Sequence, residues 1–124
     1  MKVKIDDLAA TVELELNQYG EDVREGIAAI VKRVSAKCVR RLQQRSPKRT
    51  GRYAKSWTKQ ESKPPAQPSA IIYNREYGWL VHLLENGHAK AGGGRVEGVP
   101  HVGPAAEEAE RELVADAENL LREV

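Results

Sequence analysis

The chain has 124 residues, sized for one domain spanning 1–124 around a single small core. Its 40% hydrophobic and 31% charged residues exclude disorder, and no apolar run reaches the length of a membrane span. The net charge of +2 hides a strong asymmetry, with a net +11 over residues 32–63 between acidic stretches at either end.

The opening residues, Met1 to Asp7, lack a signal peptide's basic-then-apolar order, so no export leader is expected. Ile5, Leu8, Ala9, Val12, Leu16 and Tyr19 recur at spacings of three and four and predict a short amphipathic helix, with Asp6 or Asp7 as its N-cap. A second and longer helix is predicted from Glu21 to about Arg45. Val23, Ile27, Ile30, Val31, Val34, Cys38 and Leu42 share its apolar face. Acidic residues at its start and arginines at its end oppose the helix dipole, and Ser46-Pro47 stops it. Cys38 is the lone cysteine, which excludes an internal disulfide and a cysteine zinc cluster. Its place on the apolar face predicts a buried small hydrophobe and not a nucleophile.

Beyond the helix, Tyr53, Trp57 and Thr58 lie in a stretch that tolerates β structure, and Ala70 to Tyr73 is a β-branched run. The proline-rich interval from Glu61 to Ser69 predicts a stiff, exposed loop joining two strands. Tyr77 to Glu85 reads as a short helix that is apolar nearly all round, with Trp79 and Leu83 opposite Tyr77, Leu80, Val81 and Leu84. Such a helix must be buried or covered by another chain. Gly87 and Gly92 to Gly94 bracket a loop over residues 88–99, which together with residues 61–69 is expected to be mobile in the free subunit. Gly103-Pro104 opens a final helix with buried stripe Ala105, Ala109, Leu113, Ala117, Leu120 and Val124. These elements predict an α+β fold: a small antiparallel sheet packed against a long amphipathic helix and a C-terminal helix.

No constellation of catalytic type emerges. The run Ala91 to Arg95 lacks the lysine and hydroxyl that complete a phosphate cradle, so no nucleotide or other cofactor is expected. His82, His88 and His101, with Glu85 near the first, are too loosely spaced for a zinc site, so structural histidines and no metal are expected. Ser46 to Tyr53 offers cations with a Tyr nearby and Trp57 further on, the ingredients of a nucleic-acid arm. Its bland counterpart is a helix-to-strand turn with a basic surface.

The ordered set is more specific than its parts: Ser46-Pro47 and Thr50-Gly51, then Tyr77, then His82-Leu83-Leu84-Glu85-Asn86-Gly87-His88, then Gly93-Gly94-Arg95-Val96, then Pro100 to Ala105. From about residue 5 onward it resembles the gene-product-ten-like tail-component family of lambda-like long-tailed phages and prophages. The resemblance implies a non-enzymatic virion subunit at the neck, acting in head–tail joining or tail completion. It implies a homo-oligomeric ring, a hexamer among the candidates. Its partners would be connector or head-completion proteins and tail-tube or tail-terminator proteins, with no membrane and no specific nucleic acid. No catalytic residue transfers. On this reading Trp79 and Leu83 face other subunits, Glu85 and Arg95 pair, and Arg41 and Arg45 orient a neighbour that presents an acidic helix. The alternative is a small DNA-binding protein using the basic segment 32–63.

Overall fold

The computed structural model describes residues 2–5, 9–13, 20–64 and 66–123. Strands β1 (Lys2–Ile5), β2 (Ala9–Glu13), β3 (Trp57–Glu61) and β4 (Ser69–Asn74) form one antiparallel sheet in the order β1-β2-β4-β3. Helices α1 (Glu21–Arg45) and α4 (Val102–Arg122) lie together, α1 against β3 and β4 and α4 against β1 and β2. A single helical turn, α2 (Arg52–Lys55), precedes β3. The remainder is a limb made of α3 (Gly78–Asn86) and the hairpin β5 (Gly87–Ala89) and β6 (Arg95–Glu97). This is the α+β fold that the sequence predicts.

The long helix forms where its pattern places it. All seven residues of its predicted stripe are buried, from Val23 to Leu42, and Ser46 closes it with its amide on the Leu42 carbonyl at 3.0 Å. Cys38 is buried among them, and burial pushes its thiol up to about 11, so it is a protonated space-filler at neutral pH. On the facing helix Ala105, Ala109, Leu113 and Ala117 are buried as predicted; small residues let the two helices approach, with Leu120 lying over Gly26. Val124, the last residue of that stripe, falls outside the described residues.

Three expectations are corrected. The predicted N-terminal helix is not present at residues 2–5 and 9–13, which are strands; Leu8, Leu16 and Tyr19 lie outside the described residues. Lys2-Val3-Lys4-Ile5 alternates with period two, and Val3, Ile5, Thr11 and Val12 are β-branched, so these segments suit a pleated pairing. β2 is gripped on both sides, by Lys2–Ile5 in one direction and by Ser69–Tyr73 in the other, and this ladder decides the contest. Second, Tyr53 begins no strand. Gly51 takes a left-handed conformation (φ 84°) and starts α2, whose one turn swings Tyr53 and Ala54 into the core. Third, residues 88–99 do not form an open loop, because β5 and β6 pair within them and Gly92 to Gly94 form the hairpin turn.

The strand pair around the proline-rich loop matches expectation. β3 and β4 pair from Trp57–Asn74 to Glu61–Ala70. The loop is closed by Ser62, whose hydroxyl donates to the Gln67 carbonyl at 2.7 Å and accepts from the Ser69 amide at 2.9 Å.

Candidate functional site

Part of the sequence motif converges where α2, α3, the segment before α4 and the end of α1 meet. Glu85, near the C-terminus of α3, reaches the start of α4 and accepts three backbone amides. Oε1 takes His101 and Val102 at 2.8 Å each, and Oε2 takes Gly103 at 2.9 Å. A helix leaves its first amides unpaired and carries partial positive charge there, so a carboxylate from another element serves as its cap. Partial burial pushes the Glu85 carboxyl upward, but the amides of Gly103, His101 and Val102 outweigh it and hold the group below the usual carboxylate range.

His101 is fully buried beside this carboxylate. Its Nδ1 lies 2.6 Å from the Val99 carbonyl and 3.0 Å from Glu85 Oε1. Both neighbours are acceptors, so in the neutral ring the proton sits on Nδ1 and Nε2 accepts. Tyr53 supplies the donor, its hydroxyl 2.7 Å from Nε2. Burial, with the Glu85 charge adding to it, raises the Tyr53 phenol well above its ordinary value. The rings of Tyr53, Trp57 and His101 stack edge to face, with centroids 5.6 to 6.2 Å apart. Trp57 Nε1 donates to Ser46 Oγ at 2.8 Å, tying β3 to the end of α1. Asn74 donates to the Tyr53 carbonyl at 2.8 Å and accepts from the Tyr77 amide at 2.9 Å, joining β4 to α2 and α3.

Two glycines make the limb possible. Gly87 has φ 80°, and a Cβ there would sit 2.3 Å from the Val96 carbonyl oxygen. A Cβ at Gly98, just after β6, would meet the Glu85 carbonyl oxygen at 2.4 Å. The two backbones touch at a distance no side chain permits, and that contact holds Glu85 over α4.

The expected site residues scatter around this knot. Glu85 and Arg95 do not pair: the carboxylate is spent on α4, and Arg95 donates to the Asn86 carbonyl at 2.6 Å. Trp79 is 67% exposed on α3, and Leu83, one turn on, is half-buried. Arg41 and Arg45 already have an acidic partner within the chain. Arg41 Nε lies 2.9 Å from Glu108, Arg41 also contacts Glu112, and Arg45 lies 2.9 Å from Glu108. Lys37–Glu112 at 3.5 Å and Arg33–Asp116 at 2.6 Å continue the row. Every fourth residue ascending α1 meets every fourth residue descending α4, so the basic and acidic blocks of the sequence close on each other. The Arg45 hydrogen bond, with its charge and those of Arg41 and Arg111, holds Glu108 below the usual carboxylate range.

The histidines fall in three places. His101 is in the knot, His82 is exposed on α3 with Nδ1 3.1 Å from the Asn86 amide nitrogen, and His88 is exposed on β5. No cluster of three or more His, Cys, Asp or Glu able to hold a metal occurs among the described residues. Tyr53 and Trp57, suited by sequence to stacking on bases, are 7% and 3% exposed and cannot do so. Sequence reasoning missed the Tyr53–His101–Glu85 chain, although all three residues lie in or beside the motif.

A family model described as "Bacteriophage HK97-gp10, putative tail-component" matches residues 10–87. No significant match was found among curated proteins or solved structures.

Proposed function

This chain belongs to the HK97 gp10-like family of bacteriophage tail components, and on that premise we propose that it is a neck subunit acting in head–tail joining or tail completion, as one protomer of a homo-oligomeric ring. The observation that carries the reading is the incompleteness of α3. Its Val81 side is docked on the core, while Trp79 stands 67% exposed beside Leu83. A Trp left in water is a large apolar area with no use inside the monomer, and aromatics of this kind anchor protein interfaces. The hairpin that follows adds exposed Val96, and the segment just after it adds exposed Val99. The motif residues Glu85, Gly87 and His101, with Gly98 beside them, supply rigidity: they fix the limb on α4 so that it can be presented in one orientation.

The role is mechanical. In this reading the limb is buried between subunits and against connector or head-completion rings on one side and tail-tube or tail-terminator rings on the other. The test is deletion of the gene from its phage, complemented in trans. Electron micrographs should show filled heads and tails that fail to join, or tails that fail to finish. Wild-type protein should restore joined particles, and a folded Trp79→Asp chain should not. Normal joined virions from the deletion, or full rescue by the Trp79 variant, would end the proposal.

A further inference from the structure

A groove of about 380 Å³ runs between the turn that follows α1 and the side of α3. Tyr77, Leu80 and Leu84 give it an apolar wall, and Arg49 and Arg52 stand on its rim. No carboxylate of the described residues lines it. The guanidinium groups of Arg49 and Arg52 are exposed and make no hydrogen bond or ion pair with any described residue. They differ in this from Arg33, Arg41 and Arg45, which are spent on α4. The grooves beside Ala28 and the proline loop carry both signs of charge, with Glu61 facing Lys32 and Glu21 and Glu25 near Arg24, so they select no charged partner.

The complementary surface is on the same chain, on a helix that does not line the groove. Glu107, Glu110, Val114 and Glu118 recur at spacings of three and four and share one face of α4; exposed Arg111 lies on it too, so the face carries three carboxylates against one cation and is net acidic. The three glutamates are exposed and unpaired with any described residue, and half-buried Val114 lies among them. We propose that the groove of one copy seats this acidic face of α4 from a second copy, with Val114 against the apolar wall and the glutamates on Arg49 and Arg52. Groove and helix face are different patches, so the contact is head-to-tail, the type that repeats around a ring. The inference rests on the ring reading above and names the contact that would build it.

Four chains test it by sedimentation over a concentration series: wild type, Arg49→Glu with Arg52→Glu, Glu110→Lys with Glu118→Lys, and all four changes together. All the changed positions are exposed, and circular dichroism checks that each chain keeps its helices. Each double reversal should weaken self-association by about tenfold or more, and the fourfold chain should recover it, because charge pairs across an interface set register and partner choice. Equal association of all four chains would overturn the contact while leaving the ring reading intact. Loss in both doubles without recovery in the fourfold chain would overturn α4 as the occupant. A wild-type chain that stays monomeric throughout would overturn contact and ring together.

Discussion

Helices α1 and α3 are both rich in apolar residues, yet the fold treats them differently. α1 buries every member of its stripe and turns a charged face outward, where four cations meet carboxylates of α4. α3 fully buries only Val81, half-buries Leu80 and Leu84, and leaves Trp79 in solvent. The charged residue it does carry, Glu85, points into the fold as a cap for α4. An amphipathic helix is satisfied by its own domain, whereas a helix apolar on both sides needs a second surface. On the proposed reading, the slab of α1, α4 and sheet holds the monomer, and the limb of α3 and hairpin is what it presents to other subunits.

Substitutions at the core and the limb should separate these roles most sharply. Leu42→Ala or Ile27→Ala removes a fully buried side chain from the slab and should cost about 2–5 kcal/mol in urea unfolding. Trp79→Ser should change stability by no more than about 0.5 kcal/mol, because the side chain is largely solvated, while it impairs particle assembly. The contrast breaks if Trp79→Ser proves as destabilising as the core changes.

Much of the slab was legible in the sequence for a simple reason. A regular period repeated over 25 residues admits one buried face, and the bounds Glu21 and Arg45 are set by adjacent residues, Gly20 before and Ser46-Pro47 after. α3 and α4 were legible to within a residue or two on the same grounds. What stayed hidden depends on partners distant in sequence. Five-residue β2 has too few positions to tell period two from period 3.6, and its pairing with Ser69–Tyr73 decides it. The role of Glu85 could not be read from spacing because its partners lie 16 to 18 residues away, beyond the whole β5–β6 hairpin. The same holds for the charge row: the opposed blocks were visible, but their closure within one chain required knowing that α1 and α4 run antiparallel side by side.

Glu85 ranks next among the expected effects, since it joins the limb to the slab. Glu85→Ala strips the cap from α4 and should cost about 2 kcal/mol, the upper range for loss of a helix cap. Glu85→Gln should recover part of this, as an amide oxygen still accepts from one or two of the amides. The acid limb of stability carries the same signature. The folded carboxyl is held below its unfolded value of about 4.3, so its contribution is present above that pH and lost as pH falls through the folded value. Glu85→Gln should flatten that part of the acid titration, followed by fluorescence of buried Trp57 in a Trp79→Phe background. An unchanged acid limb would show that the amide contacts do not tune the group.

Tyr53→Phe makes a smaller cut in the same knot. It removes one hydroxyl and leaves His101 Nε2 without its donor, at a cost of about 1 kcal/mol. The phenol is raised in the folded state, so the unfolded chain releases its proton first, and the contribution of the neutral hydroxyl is intact below about pH 10 and lost above it. Wild-type stability should therefore fall more steeply than that of Tyr53→Phe in alkaline urea titrations. Parallel curves would separate Tyr53 from His101.

The least effect is expected at the far end of the charge row, and it bears on what the basic block is for. Arg33 and Asp116 are 2.6 Å apart, but the arginine side chain is half exposed and water screens the pair. Arg33→Ala should cost about 0–1 kcal/mol at low salt, as exposed ion pairs do. The difference should shrink further by 1 M salt, where the screening length falls to about 3 Å. If this row is the internal clasp that its geometry indicates, the loss should appear in unfolding of the monomer and leave self-association unchanged. The reversal of Arg49 and Arg52 should do the opposite, sparing the monomer and weakening association. A drop in association on changing Arg33 alone, with monomer stability untouched, would return the whole basic block to the interface and erase the division between slab and limb.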